Sequence, residues 1–324
     1  MRIVLLLFFF ATNLFALAQS PIDALAKYKL FGREYVRITH WAKSNQIQLE
    51  WVVNEKLLRA TNSSTRMLFE INSRKAQIGG INLTLSQMII LDKGIVYISP
   101  IDIEATLHPL LFPKKMPAGD VIKTICLDAG HGGKDPGKID GQMEEKRFTL
   151  LLSEEVERLL KLAGFKVVQT RAKDIFVEWV DRPKTANQKN ADLFVSLHFN
   201  AAASRIVQGS EVYCLTPEGA ISSNGGQTAT AYPGHDQNSK NILLAYQIQK
   251  SLVKNLGAED HGIKRAQFEV LLSLKMPGVL IEGGYMTSPI ESKRIYDSAY
   301  RKKMALAIVD GILAYQRIVE RKPA

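Results

Sequence analysis

The chain has 324 residues, 46% hydrophobic and 23% charged, which excludes a disordered or collagen-like polymer and allows for more than one folded unit. Lysine and arginine outnumber aspartate and glutamate by 42 to 32, a net charge of +10 that suits acidic partners such as wall polymers or lipid head groups. The basic residues are scattered rather than blocked, so they mark no nucleic-acid patch. The two cysteines, Cys126 and Cys214, make no disulfide framework and leave open a single bond between them.

Met1-Arg2 precedes an apolar run, Ile3 to Phe10, and then Ala16-Leu17-Ala18. A positive start, an apolar centre and a small-residue cleavage site read as a secretory signal over residues 1–18. The run is short for a membrane-spanning helix, which needs roughly 20 apolar residues. No later segment is apolar enough to cross, and no cysteine stands near the cleavage site for lipid attachment. The expected destination is outside the cytoplasm, with the periplasm preferred over the medium. Export argues against nucleic acid as a partner.

Residues 19–111 read as a small α+β accessory domain. Glu34 to Ile38, Gln48 to Val52 and Arg66 to Ile71 alternate as strands, and Trp41 opens a helix. Gly79-Gly80 and Asp92-Lys93-Gly94 are turn signals, the second leading into Ile95 to Ile98. His40 and His108 stand alone and make no ligand set. Residues 112–120, with two prolines, a glycine and several charges, read as a linker.

From Val121 the rhythm becomes strand, helix, strand. Val121 to Leu127 is a strand, and Lys146 to Leu162 is an amphipathic helix with Phe148, Leu152, Val156, Leu159 and Leu160 on one face, stopped by Gly164. Strands follow at Phe165 to Gln169, Leu193 to His198, Glu211 to Leu215 and Val279 to Ile281, with helices through Lys184 to Lys189 and Lys240 to Leu256. Pro217 to Asn238 reads as a long loop. Ser288-Pro289-Ile290-Glu291 supplies an N-cap, a proline at the first helical position and a glutamate at the third, opening the terminal helices. Residues 121–320 therefore read as an α/β domain, a mostly parallel or mixed sheet flanked by helices.

His131, wrapped in glycines, follows the first of these strands; His198 ends the third, Glu282 ends the last, and Glu145 opens the first helix. Sites in open α/β sheets form outside the carboxyl ends of strands, so these residues converge on one rim. Two histidines and a carboxylate are a catalytic zinc ligand set with one position left for water, and a second carboxylate is then free to move protons. Asp128 and Asp135 are candidates to orient His131. Glu144 competes with Glu145 for the inward position, since one helical step turns the side chain by about 100°.

Residues 121–314 resemble the zinc-dependent N-acetylmuramoyl-L-alanine amidases of the cell-separation and sporulation type. The resemblance rests on Leu127-Asp128-Ala129-Gly130-His131-Gly132-Gly133-Lys134-Asp135-Pro136-Gly137, Glu145-Lys146, Thr170-Arg171 with Asp174, Arg182, and Ala186-Asn187. It continues in Ser196 to Ala201, Gly209 to Tyr213, Gly262 to Ala266 and Leu280 to Tyr285. It implies His131, Glu145 and His198 as zinc ligands, Glu282 as the catalytic glutamate, and peptidoglycan as substrate. Ala129 and Tyr285 depart from the family's frequent Pro and Phe without touching a ligand. Ser73 to Gly80, Tyr97 to Asp102 and Leu107 to Leu111 resemble the small domain at the amine-terminal end of copper amine oxidases, which implies a binding or positioning role.

Arg182, Asn200, Lys264 and Arg265 are candidates for gripping substrate. Relatives that need an activator protein carry an occluding helix after the fourth strand of the domain. Here that interval holds Glu218, Gly225-Gly226 and Pro233-Gly234-His235 with little helical periodicity, so a flexible loop is expected. Two alternatives compete: a zinc hydrolase of another amide bond, and a catalytically silent wall-binding protein, which would have no need of Glu282.

Overall fold

The computed structural model describes residues 22–226 and 230–321, so the expected signal lies outside the described residues. Short alternating runs build the first part: β1 (Lys27–Leu30), β2 (Arg33–Arg37), α1 (Ile38–Ser44), β3 (Gln48–Val53), β4 (Leu57–Thr61), β5 (Arg66–Glu70), β6 (Ser73–Ile78), β7 (Ile81–Asp92) and β8 (Ile95–Ile98). A helical run follows, made of α2 (Pro100–Asp102), a π turn (Ile103–Leu107) and α3 (His108–Leu111). The second part holds β9 (Thr124–Ala129), β10 (Ile139–Asp140), β11 (Met143–Glu144), α4 (Glu145–Leu162), β12 (Lys166–Gln169), α5 (Asp181–Gln188), β13 (Leu193–Asn200) and β14 (Ser210–Leu215). It closes with α6 (Asn238–Leu256), β15 (Asp260–Ala266), α7 (Glu269–Leu272), β16 (Gly278–Tyr285), α8 (Pro289–Tyr296) and α9 (Ser298–Val319).

Among the described residues, fourteen strands form one sheet, with the central order β12-β9-β13-β16-β14-β15-β7-β6-β5-β4-β3. Strands β12, β9, β13 and β16 run parallel, while β14 lies antiparallel to β16 and β15 follows β14. The expected mixed sheet is therefore present. Strands β9, β13 and β14 are buried almost throughout, as a sheet covered on both faces requires. Phe148, Leu152, Val156 and Leu160 of α4 pack with Ile242, Ile248, Met304 and Ile308 of α6 and α9 on one face. Each such side chain contributes roughly 1.5–3 kcal/mol. Ala186, Val270 and Leu271 cover the other face with Phe194 and Leu280.

Cys214 belongs to the first of these clusters and Cys126 to the second, so the sheet stands between the thiols. Both are free and buried, and the bond left open by the sequence is not formed. Burial, with the Asp128 charge, pushes the Cys126 thiol up to about 12.

The two parts of the chain share the sheet. Leu83 of β7 pairs in parallel with Ile263 of β15. Asn82 N donates to Asp260 Oδ2 at 2.7 Å. Tyr246 Oη donates to Ile78 O at 3.1 Å, and Arg74 Nη2 to Ile221 O at 2.8 Å. Residues 112–120 run along the end of α9, with Met116 N donating to Val319 O at 2.7 Å. Strand β15 is not apparent in the sequence, because three of its seven residues are Asp260, Lys264 and Arg265 and a glycine interrupts it.

Arg265 is 1% exposed and spans the junction, donating to Leu215 O at 3.1 Å, to Thr106 Oγ1 at 3.1 Å and to Ala105 O. It has no open face for a substrate, which corrects its expected gripping role. Arg265→Met should cost about 2–4 kcal/mol by leaving buried carbonyls without donors. The urea midpoint should fall accordingly; an unchanged midpoint would show that the junction adds nothing to stability. A maleimide should label neither cysteine in the native protein and both after denaturation. Rapid native labelling would contradict the burial described.

Candidate metal centre

The glycines around His131 allow a close approach that side chains would block. Gly130 lies at the end of β9 with its amide bonded to Leu197 O at 3.1 Å, and a Cβ there would sit 2.2 Å from His198 Cε1 and 2.4 Å from its Nε2. His131 itself adopts φ +62°, a left-handed conformation uncommon outside glycine. Two contacts hold it: Arg182 Nη2 donates to its carbonyl at 2.9 Å, and its Nδ1 lies 2.8 Å from Asp135 Oδ2. That leaves Nε2 pointing at Glu145 Oε2, 3.1 Å away.

Glu145 is the first residue of α4 and 4% exposed. Lys138 N donates to its Oε2 at 2.9 Å and Phe199 N to its Oε1 at 3.0 Å, and His198 Nδ1 stands 3.1 Å from Oε1. Burial alone would raise its pKa, but the two imidazoles outweigh burial and hold the carboxyl ionised, well below its ordinary value. Glu144 turns outward to Lys146, 3.3 Å away, so the geometry separates the two rivals. His131, Glu145 and His198 each offer a ligand atom, all within 4.8 Å of one another. The negative field that raises the His131 pKa against its burial also favours a cation in their midst.

Glu282 lies within β16 rather than at its end, because the strand continues to Tyr285. It is in register with His198 on one side and Glu211 on the other. Its Oε2 is buried with no hydrogen-bond partner among the described residues. Burial and the charges of Glu145 and Glu211 push its carboxyl well above the ordinary value, with Lys264 pulling the other way. A carboxylate placed in this way can accept and return a proton.

Glu211, 1% exposed, is a buried carboxylate in register with Glu282 that the sequence does not single out as a site residue. Asn200 Nδ2 donates to its Oε1 at 2.6 Å and Tyr213 Oη at 2.9 Å, and Lys264 Nζ pairs with Oε2. Asn200 and Lys264 thus serve a carboxylate of the protein beside Glu282. Arg182 is 2% exposed and paired with Asp128 at 2.8 Å, so it too has no face for substrate. Asp128 does not touch the His131 ring: it accepts from Thr170 Oγ1, Ser196 Oγ and Arg182. Among its described residues, the interval between β14 and α6 holds a 3-10 turn at Pro233–Gln237 and no longer helix, and Glu218 is exposed.

The N-acetylmuramoyl-L-alanine amidase family model matches residues 125–314, more than half of the chain. The chain belongs to this family. It is 36% identical over 195 residues to the amidase LytC of Bacillus subtilis, covering 60% of this chain and 36% of LytC. The catalytic domain of CwlV, an amidase from Bacillus (Paenibacillus) polymyxa, matches with a TM-score of 0.52 and 31% identity over 60% of this chain and 99% of that one. The CwlD amidase of Clostridioides difficile, solved in complex with the GerS lipoprotein, matches with a TM-score of 0.51 and 26% identity, again over 60% and 99%. The chain thus spans about a third of LytC.

Gly130→Ala should weaken metal binding at least tenfold, because its methyl group would occupy the place of the His198 ring. Competition against a chromophoric chelator measures this. Wild-type affinity in that variant would mean that His198 is not a ligand.

Proposed function

We propose that the chain is a zinc-dependent N-acetylmuramoyl-L-alanine amidase, cutting the amide bond between the lactyl group of muramic acid and L-Ala of the stem peptide. The observation that carries this is the His131–Glu145–His198 trio, two half-buried imidazoles around a buried carboxylate, beside a second carboxylate, Glu282, with an oxygen left free. Neutral imidazole and ionised carboxylate at this spacing fit zinc. When bound, zinc supplies Lewis acidity toward the amide carbonyl and lowers the pKa of water at the site. Glu145 contributes the negative charge of the ligand set, and Asp135 fixes the His131 ring so that Nε2 faces inward. Glu282 takes the proton of the attacking water and passes it to the departing L-Ala amine. A cation at the trio would offset the Glu145 charge that helps to raise the Glu282 pKa, and so favour the ionised carboxylate that accepts the proton. The products are a naked glycan and a free stem peptide.

The signal-like residues 1–18 support export, with the periplasm as the favoured compartment. No helix among the described residues is long and apolar enough to cross a membrane. The first part of the chain is read as a binding or positioning unit. The CwlD–GerS complex supports an activator protein as a partner class for this fold.

Purified peptidoglycan digested with the mature protein should yield peptides beginning at L-Ala, lost with a chelator and restored by zinc. Glu282→Gln should retain the metal and lower turnover at least about 100-fold. Muropeptides cut at another bond, or wild-type turnover in that variant, would contradict the proposal.

A further inference from the structure

Residues 172–180 leave the end of β12 at the rim that carries His131, and they are seated on the glycines that follow it. Gly133 N donates to Asp174 Oδ1 at 2.7 Å, and Asp174 Oδ2 lies 3.1 Å from Lys146 Nζ. Arg171 Nη1 donates to Lys173 O at 3.2 Å. Arg182 Nη2 joins Val177 O, at 3.0 Å, to His131 O, at 2.9 Å. A Cβ on Gly132 would fall 2.2 Å from Ile175 O, and one on Gly133 2.5 Å from Phe176 N. The segment is thereby fixed to the backbone that presents the first metal-ligand candidate.

On this fixed support the apolar side chains point outward. Trp179 is 61% exposed, Val180 58% and Ile175 40%, while Phe176 lies under Lys134 Nζ at 4.3 Å. An indole so placed adds little to the core, and three exposed apolar side chains gathered on one short segment fixed to the backbone of a site suit a binding surface. We infer that this segment is a glycan platform, on which Trp179 stacks against an N-acetylhexosamine ring next to the muramic acid being processed. The inference rests on the amidase reading, which brings a sugar ring to within a lactyl group of the metal trio.

A sugar suits the patch better than the other occupants. A pyranose has an apolar C–H face for the indole and hydroxyl edges for the exposed Lys173 and Glu178 around it. A peptide adding as a strand needs a free sheet edge, whereas residues 172–180 are not a strand and their Lys173 and Val177 carbonyls are already bonded. An anionic lipid surface calls for a one-sign basic cluster, and here Lys173 alternates with Asp174, Glu178 and Asp181.

The full chain and its Trp179→Ala and Trp179→Phe variants are titrated calorimetrically with a β-1,4-linked N-acetylglucosamine tetramer, and their kcat and KM on peptidoglycan are compared. Trp179→Ala should bind the tetramer about tenfold more weakly and Trp179→Phe by an intermediate factor, with the loss on peptidoglycan falling in KM. Equal tetramer affinity in all three proteins, a loss in kcat alone, or Phe performing no better than Ala would overturn the platform. The titration needs no turnover, so it decides the platform separately. Failure of the wild type to release stem peptides would count against the amidase reading.

Discussion

The rim depends on one buried ion pair. Asp128 and Arg182, 0% and 2% exposed, meet at 2.8 Å inside the sheet–helix layer. Burial would raise the Asp128 pKa, but Arg182 and the hydroxyls of Thr170 and Ser196 outweigh it and keep the carboxyl ionised. Through this carboxylate the end of β9, the residue that follows β12 and the middle of β13 are tied to α5. The guanidinium goes on to Ala129 O, His131 O and Val177 O. Breaking one partner of such a pair costs about 3–5 kcal/mol, because the remaining charge is left buried. His131 can hold its left-handed backbone because this network over-determines it.

Much of the site was legible because each residue stands beside a local signal. His131 follows an apolar strand and lies among glycines, Glu145 opens a long amphipathic helix, and His198 falls within an apolar strand. Burial was not legible: Arg182 and Arg265 look like free cations in sequence, yet both are buried among carbonyls. Glu211 carries no such signal, because sites are expected at the carboxyl ends of strands, whereas β14 runs antiparallel to β16 and presents its amino end at the rim. The pairing of Leu83 with Ile263 joins residues 180 positions apart, and no local periodicity encodes such a contact.

That pairing also places the first part of the chain close to the chemistry. Strand β15 pairs with β7 on one side and with β14 on the other, and its Lys264 reaches Glu211 beside Glu282. The polar row His198–Glu282–Glu211 is therefore two strands from β7. The first part forms the continuation of the sheet on which the proposed base sits.

His131, Glu145 and His198 are proposed to hold one zinc ion, and the rest of the chemistry follows from it. Anomalous diffraction at the zinc edge, from crystals grown with stoichiometric zinc, tests it most directly. A single peak is expected about 2.0–2.2 Å from His131 Nε2, a Glu145 oxygen and a His198 ring nitrogen. A peak elsewhere, or no peak in protein that still releases stem peptides, would contradict it.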